Sequence, residues 1–330
     1  MSRDPSEQRI VITRPLPGHP VPKLRARGFE NIWINPVDER LPRDDLLTAV
    51  RGAHAVIATP ADTEINAEFF DAAGEELKVV SNYAVGVDNV DLEEAGRRNV
   101  IIAHTPHAVT EPTADIAWLL ILAAARRAQE GQSLVRSGRW KGVGPNELLG
   151  QRLTGKTLFI VGAGRIGYAT AKRSLGWEMN VLYHARTQHE EFERPPLNAR
   201  RAGLDEGLRE ADVVSIHTPL TKETRYLIGA KELAIMKPNA ILVNTARGPV
   251  VEERSLVEAL RRKRIFAAGL DVFENEPRLA DGLVELQNTF LLPHLGSATV
   301  EDREWMTELA VENAAAALRG DEPPHVFPPE

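Results

Sequence analysis

Short, almost unbroken apolar runs alternate with amphipathic stretches along the whole chain, and that alternation limits what it can fold into. The first half carries RIVIT (9–13), NIWIN (31–35), AHAVIA (53–58), KVVSN (78–82) and VIIA (100–103). The second carries TLFIV (157–161), NVLYH (180–184), DVVSIH (212–217), AILVNT (240–245), FAAGLDV (266–272) and FLLP (290–293). Each run is long enough for a strand and too short for a helix. Lacking the polar alternation of a half-solvated strand, each needs cover on both faces, as parallel strands in βαβ units have. Amphipathic segments at 43–50, 92–98, 166–175 and 252–262 supply helices. The fold class expected is α/β: two doubly wound parallel-sheet domains, Rossmann-like or flavodoxin-like, with the cleft between them. A length of 330 residues suits two such cores better than one. The break falls near HTPHAVTEPTAD (104–115), where Pro106 and Pro112 interrupt the pattern before a long helix at about 113–135. A final helix at 301–320 follows the last strand and could pack back on the first domain.

A net charge of −7 leaves no broad basic surface for nucleic acid. The absence of cysteine excludes disulfides and thiolate chemistry and suits a reducing, cytoplasmic setting. The start, MSRDPSEQR, lacks the apolar run of a signal peptide. IAWLLILAAA (116–125) covers about half of a membrane span and reads as a buried helix, so no membrane association is expected. The end, DEPPHVFPPE, reads as a loose tail, and Trp140 in SGRWKG as a loop anchor. His104 and His107 have no matching carboxylates, so no metal site is expected.

The strongest local motif is TLFIVGAGRIGYATAKRSL, a strand, then G-x-G-x-x-G, then a helix. Gly162 allows the tight turn, Gly164 lets backbone approach a pyrophosphate, and Gly167 lets helix and strand pack closely. The free amides of the helix start, at Arg165 and Ile166, face the anion. About twenty residues on, this motif normally places an acid for the ribose hydroxyls. Here the next strand ends in His184, Ala185, Arg186 and Thr187, and no acid appears before Glu190. A carboxylate about 4 Å from a 2′-phosphate would repel it by roughly 4 kcal/mol at an effective dielectric of 20. Arg186 can instead grip that phosphate and Thr187 can donate to it. The reading is a preference for NADP(H), with NAD(H) kept open. A solvated arginine on a surface turn is the plainer alternative.

Polar residues of several kinds also follow the strands: His217, Arg247, Asp271 and His294, with Glu276 five residues beyond Asp271. Ligands of open parallel sheets bind at that edge. Taken singly, Asp271 and Glu276 could be solvated loop acids, His294 a structural histidine after a proline, and Arg247 part of a turn.

Together with NYAVGVDNVDL, GRIG, HTPLTKETRYLI, NTARGPVV, AGLDVFENEP and PHLGSAT, these residues give the chain its likeness to a known family. Over nearly its full length it resembles the D-isomer-specific 2-hydroxyacid dehydrogenases, and most the glyoxylate/hydroxypyruvate reductase branch. The resemblance implies that Arg247 binds the substrate carboxylate and carbonyl oxygen, and that His294 protonates that oxygen as hydride arrives. Glu276 would hold the imidazolium and raise its pKa. Val85 and Gly86 would offer amides to the carboxylate, and Asp271 would touch the nicotinamide amide. Thr110, Pro219, Thr224, Thr245, Ala246 and Gly296 fall at cofactor-contacting positions. His217 lies near the cofactor in the family, though a structural role is equally open.

The implied domains are a discontinuous substrate-binding domain, 1–104 with 295–330, and a dinucleotide-binding domain, 105–294, with a dimerisation arm at 113–150. All-round apolar IAWLLILAAA suggests that the arm is covered in a homodimer. The expected activity is NADPH-preferring reduction of small 2-oxo acids, glyoxylate and hydroxypyruvate, to D-2-hydroxy acids. The pocket wall would include ATPAD (58–62), which departs from the leucine or serine of a typical reductase. The alternatives are a phosphoglycerate or D-lactate type of dehydrogenase, or a non-catalytic, corepressor-like protein that senses NAD(H).

Overall fold

A computed structural model describes residues 4–60 and 63–327, so Ala61 and Asp62 of the expected pocket wall lie outside the described residues, as do 1–3 and 328–330. The chain forms two compact units, one running to Val109 and resuming at Ser297, the other Thr110–Gly296.

The first unit holds β1 (Ile10–Ile12), β2 (Ile32–Ile34), β3 (Ala55–Ala58), β4 (Val79–Asn82) and β5 (Ile101–Ala103). They lie in the order β2-β1-β3-β4-β5, all parallel, the flavodoxin-like arrangement. Successive side chains point to opposite faces, so one apolar run feeds two cores. Ile10, Ile12, Ile57 and Val79 pack with Met306, Leu309 and Ala310 of the helix Val300–Arg319. Val11, Val56 and Val80 pack on the other side with Leu46, Phe69 and Phe70. Each such fully buried side chain contributes roughly 1.5–3 kcal/mol. The Ser81 hydroxyl donates to Ala310 O at 3.0 Å and the Tyr83 hydroxyl to Arg303 O at 2.6 Å, which seats the returning helix.

The tail is less loose than its composition suggests. Val326 bridges antiparallel to Ala103, and Phe327 N–H donates to Ile102 O at 2.8 Å. Asn313 ties the two segments together, donating to His104 O at 2.9 Å and accepting from His325 N–H at 3.2 Å. An open sheet edge provides the partner, and composition cannot reveal it.

In the second unit β6 (Thr157–Val161), β7 (Asn180–His184), β8 (Arg200–Arg201), β9 (Val213–Ile216), β10 (Ile241–Asn244), β11 (Ala267–Leu270) and β12 (Thr289–Leu291) form one parallel sheet. The order β12-β11-β10-β9-β6-β7-β8 is that of a Rossmann sheet extended by one strand, with its reversal between β6 and β9. Two arginines make β8, which no apolar run announces.

The long helix expected at 113–135 is two helices, Thr110–Ala125 and Ala128–Arg136. Arg127 between them has φ 53°, and its guanidinium forks onto Glu130 at 2.8 and 2.7 Å. The apolar run also needs no subunit contact to explain it. Ala117, Trp118, Leu120, Ile121 and Ala124 are buried against Ile160, Ile241, Val243 and Ala267 of the same unit. Trp140, the expected loop anchor, is 53% exposed and lines one cavity with Val143, Gly144 and Leu148 of the loop that follows it.

The units divide a few residues beyond the expected boundaries. Ala108 belongs to the first core, and Gly296 is held in the second unit by Asp271 and Thr113. Among the described residues no helix is long and apolar enough to cross a membrane.

Candidate active site

The carboxyl edge of the second sheet gathers most of the sequence-predicted residues, because every parallel strand there ends on the same side. After β6 comes the glycine loop. Gly162 has φ +106°, and a Cβ on it would lie 2.7 Å from backbone of His217 and Thr218. A Cβ on Gly167 would lie 2.2 Å from Gly162 O, so helix and loop tolerate no side chain there. Around Gly164 the space is open to 4 Å. Gly164 caps the helix Arg165–Arg173, whose first turn holds Arg165, Ile166 and Gly167.

After β7, Arg186 and Thr187 are exposed, with no carboxylate at their position. Arg201 of β8 donates from one nitrogen to Ala185 O at 2.9 Å and Arg186 O at 2.7 Å, pinning this turn. The loop after β9 lies within electrostatic reach. The Glu223 carboxyl sits below its ordinary range, chiefly through the Thr221 hydroxyl, with Lys222 and Arg186 adding to the effect. Within that loop the Thr224 hydroxyl donates to Pro219 O at 2.6 Å. His217 is partly buried, and burial of its ring pushes its pKa down to about 3, so it is neutral at physiological pH. Its Nε2 bonds Ser215 Oγ at 2.8 Å. His217 Nδ1 and the buried hydroxyls of Thr218 and Thr245 have no partner. Unpartnered polar atoms and open glycine backbone at one edge are the groups a dinucleotide requires.

After β10, the Asn244 amide accepts from Ala246 N–H at 3.0 Å and donates to Arg247 O at 2.9 Å, shaping the turn that carries Arg247. After β11 and β12 come Asp271 and His294. His294 has φ 57°, a left-handed conformation that costs a non-glycine residue about 1 kcal/mol or more. Asp271 holds it there. Its carbonyl accepts from His294 N–H at 2.9 Å, and its carboxylate accepts from Leu295 N–H at 2.7 Å and Gly296 N–H at 2.8 Å. Burial pushes the Asp271 pKa up to about 6 despite these donors. His294 Nδ1 donates to Glu276 Oε2 at 2.9 Å. Burial pushes the Glu276 carboxyl up, yet the bond and charge of His294, Phe273 N–H and Arg247 outweigh it and hold the group below its ordinary range. An ionised carboxylate thus fixes one ring nitrogen of an exposed histidine and leaves the other for a reactant.

The family model for the NAD binding domain of D-isomer specific 2-hydroxyacid dehydrogenases matches residues 118–296. A glyoxylate reductase of Thermococcus gammatolerans is 46% identical over 320 residues, 96% of this chain and 94% of its own length. The chain belongs to the D-isomer specific 2-hydroxyacid dehydrogenases.

Solved structures agree with this placement of the dehydrogenase. A Thermus thermophilus protein shares 47% identity at TM-score 0.90, covering 97% of this chain and all of its own. An NADPH-dependent glyoxylate/hydroxypyruvate reductase of Sinorhizobium meliloti, in complex with NADP and malonate, shares 30% identity at TM-score 0.83, covering 98% and 97%.

The remaining expected residues of the dehydrogenase lie in different surroundings. Thr110 opens the helix Thr110–Ala125. Val85 and Gly86 follow β4 in the first unit, where His104 Nδ1 donates to Val85 O at 2.9 Å and the Asn82 amide to Gly86 O at 2.9 Å. Sequence reading passes over Arg201 and Asn244, and weighs His104 only as a metal ligand; all three are ordinary polar residues until the fold brings each to a backbone carbonyl. It also passes over Glu253, a carboxylate only 3% exposed, for which its place in an amphipathic helix gives no signal.

Proposed function

We propose that this dehydrogenase reduces small 2-oxo acids, glyoxylate and hydroxypyruvate, to 2-hydroxy acids of D configuration, preferring NADPH to NADH. The observation that carries the reading is the 2.9 Å bond between His294 and Glu276, on the sheet edge that also bears the glycine loop and Arg247. The relatives named glyoxylate reductase, and the Sinorhizobium enzyme solved with NADP, support the substrate class and the cofactor. Arg186 in place of a ribose-binding acid supports the preference.

The glycine loop, Ala185, Arg186, Thr187, Thr245 and Ala246 would hold the dinucleotide. When bound in reduced form, it supplies the hydride. Arg247 grips the substrate carboxylate and carbonyl oxygen with its planar fork, and the Val85 and Gly86 amides are proposed as further donors. His294 gives its Nε2 proton to the carbonyl oxygen as negative charge develops there, and Glu276 stabilises the imidazolium until that transfer. Little of this machinery is left for a large substrate head.

Arg247→Ala is expected to raise the KM for glyoxylate and slow turnover, lowering kcat/KM by roughly 10²–10³, with NADPH binding unchanged. Parental kcat/KM in that variant would overturn the role of Arg247. A panel of 2-oxo acids with NADPH, followed at the nicotinamide absorbance, ranks the substrates. If no 2-oxo acid were reduced, the enzymatic reading would give way to a binding role.

We also propose a two-fold homodimer formed through the arm 113–150. Val135, Trp140, Val143 and Leu149 there are 58, 53, 92 and 61% exposed, an apolar surface suited to a partner copy. Sedimentation at micromolar concentration is expected to give a dimer, and a stable monomer would contradict it.

A further inference from the structure

The helix Glu253–Arg261 begins with a carboxylate that does not serve its own helix. Glu253 is 3% exposed, and its oxygens accept from Glu274 N–H and from Ala280 N–H, the latter at 3.1 Å. In return Glu274 Oε2 accepts from Glu253 N–H at 3.3 Å. Both ends of the segment 274–280 are therefore held by one side chain. Between them lies Glu276, with Oε1 on Phe273 N–H at 2.9 Å and Oε2 on His294 at 2.9 Å. Gly248 packs against the start of the same segment. A Cβ there would lie 1.9 Å from the Phe273 carbonyl carbon, so the turn following Arg247 rests directly on the Phe273–Glu274 peptide, two residues ahead of Glu276.

We propose that Glu253 is a positioning residue that keeps Glu276 on His294 and sets it against the Arg247 turn. The proposal rests on the catalytic reading of those residues above. Burying a carboxylate is costly unless it is bonded. Burial pushes Glu253 up, the N–H groups of Glu274 and Ala280 pull it down, and the carboxylates of Glu274 and Glu276 push it up again. A residue needed only to start a helix could do so at the surface without this opposition.

The test separates position from charge. Glutamine at this site turns an amide towards one of the two N–H donors and releases one end of the segment. Glu253→Gln is expected to lower kcat for glyoxylate about ten-fold, as misplacement of a proton-transfer pair does, and to leave the NADPH Kd unchanged. Glu276 faces His294, Arg247, Glu253 and Asp271. Once it slips from His294 its pKa rises, and the acidic limb of the kcat profile moves to higher pH. Were Glu253 only a nearby negative charge, its removal would instead move that limb to lower pH. Glu253→Asp keeps the charge but is too short to span both donors. It is expected to move the limb upward as well, and it serves if the glutamine variant does not fold. Parental kcat, or a limb that stays or moves down, overturns the proposal. Parental kcat in His294→Ala would instead overturn the catalytic reading beneath it.

Discussion

His294→Ala is expected to bind NADPH with parental affinity and to lose about 10²–10⁴ in kcat, the usual worth of a positioned general acid. The side chain is 52% exposed and packs into no core, so the fold is expected to persist without it. The strain lies in the backbone, at φ 57°, and Asp271 maintains it through three N–H groups that the substitution leaves in place. His294→Asn is the more conservative companion, since asparagine accepts the left-handed region better than alanine. Cofactor fluorescence gives the affinity and steady-state reduction of glyoxylate gives kcat. Turnover at the parental rate in either variant would remove His294 from the chemistry.

Arg186→Ala is expected to lower the affinity for NADPH about ten-fold to a hundred-fold and to leave that for NADH almost unchanged. The loss corresponds to one or two charge-assisted hydrogen bonds, roughly 1.5–3 kcal/mol. Removing Arg186 also takes away one of the two cations, with Lys222, that act on the Glu223 carboxylate, which adds repulsion towards a phosphate. The exposed guanidinium contributes nothing to a core, so stability is expected to hold. If titration of both cofactors gave the parental affinity ratio, Arg186 would be only a solvated turn residue.

The parts of the site visible in the sequence are those whose neighbours are close along the chain. Gly162, Gly164 and Gly167 form one turn between a strand and a helix, and their spacing states their purpose. Arg247, Asp271 and His294 are visible because each follows a recognisable strand. Arg201 is not, because β8 is two charged residues at a sheet edge, found only through its pairing with β7. Glu253 is not visible either, since it lies 21 residues from Glu274 and 27 from Ala280. The apolar helix Thr110–Ala125 is legible only in part. Its composition suggests a subunit contact, whereas β10 and β11 cover it within the unit.

The sequence by itself determined the two parallel sheets, the glycine loop and the chemical groups along one strand edge. Apolar burial and tight turns follow from local periodicity and from single residue types. Only the tertiary structure decided which other polar groups meet: Asp271 with the amides of Leu295 and Gly296, Arg201 with the carbonyls of Ala185 and Arg186, Glu253 with both ends of the segment 274–280. Hydrogen bonds are directional and act over about 3 Å. Partners far apart in the chain are therefore chosen by the packing of whole elements, which no short stretch of residues encodes.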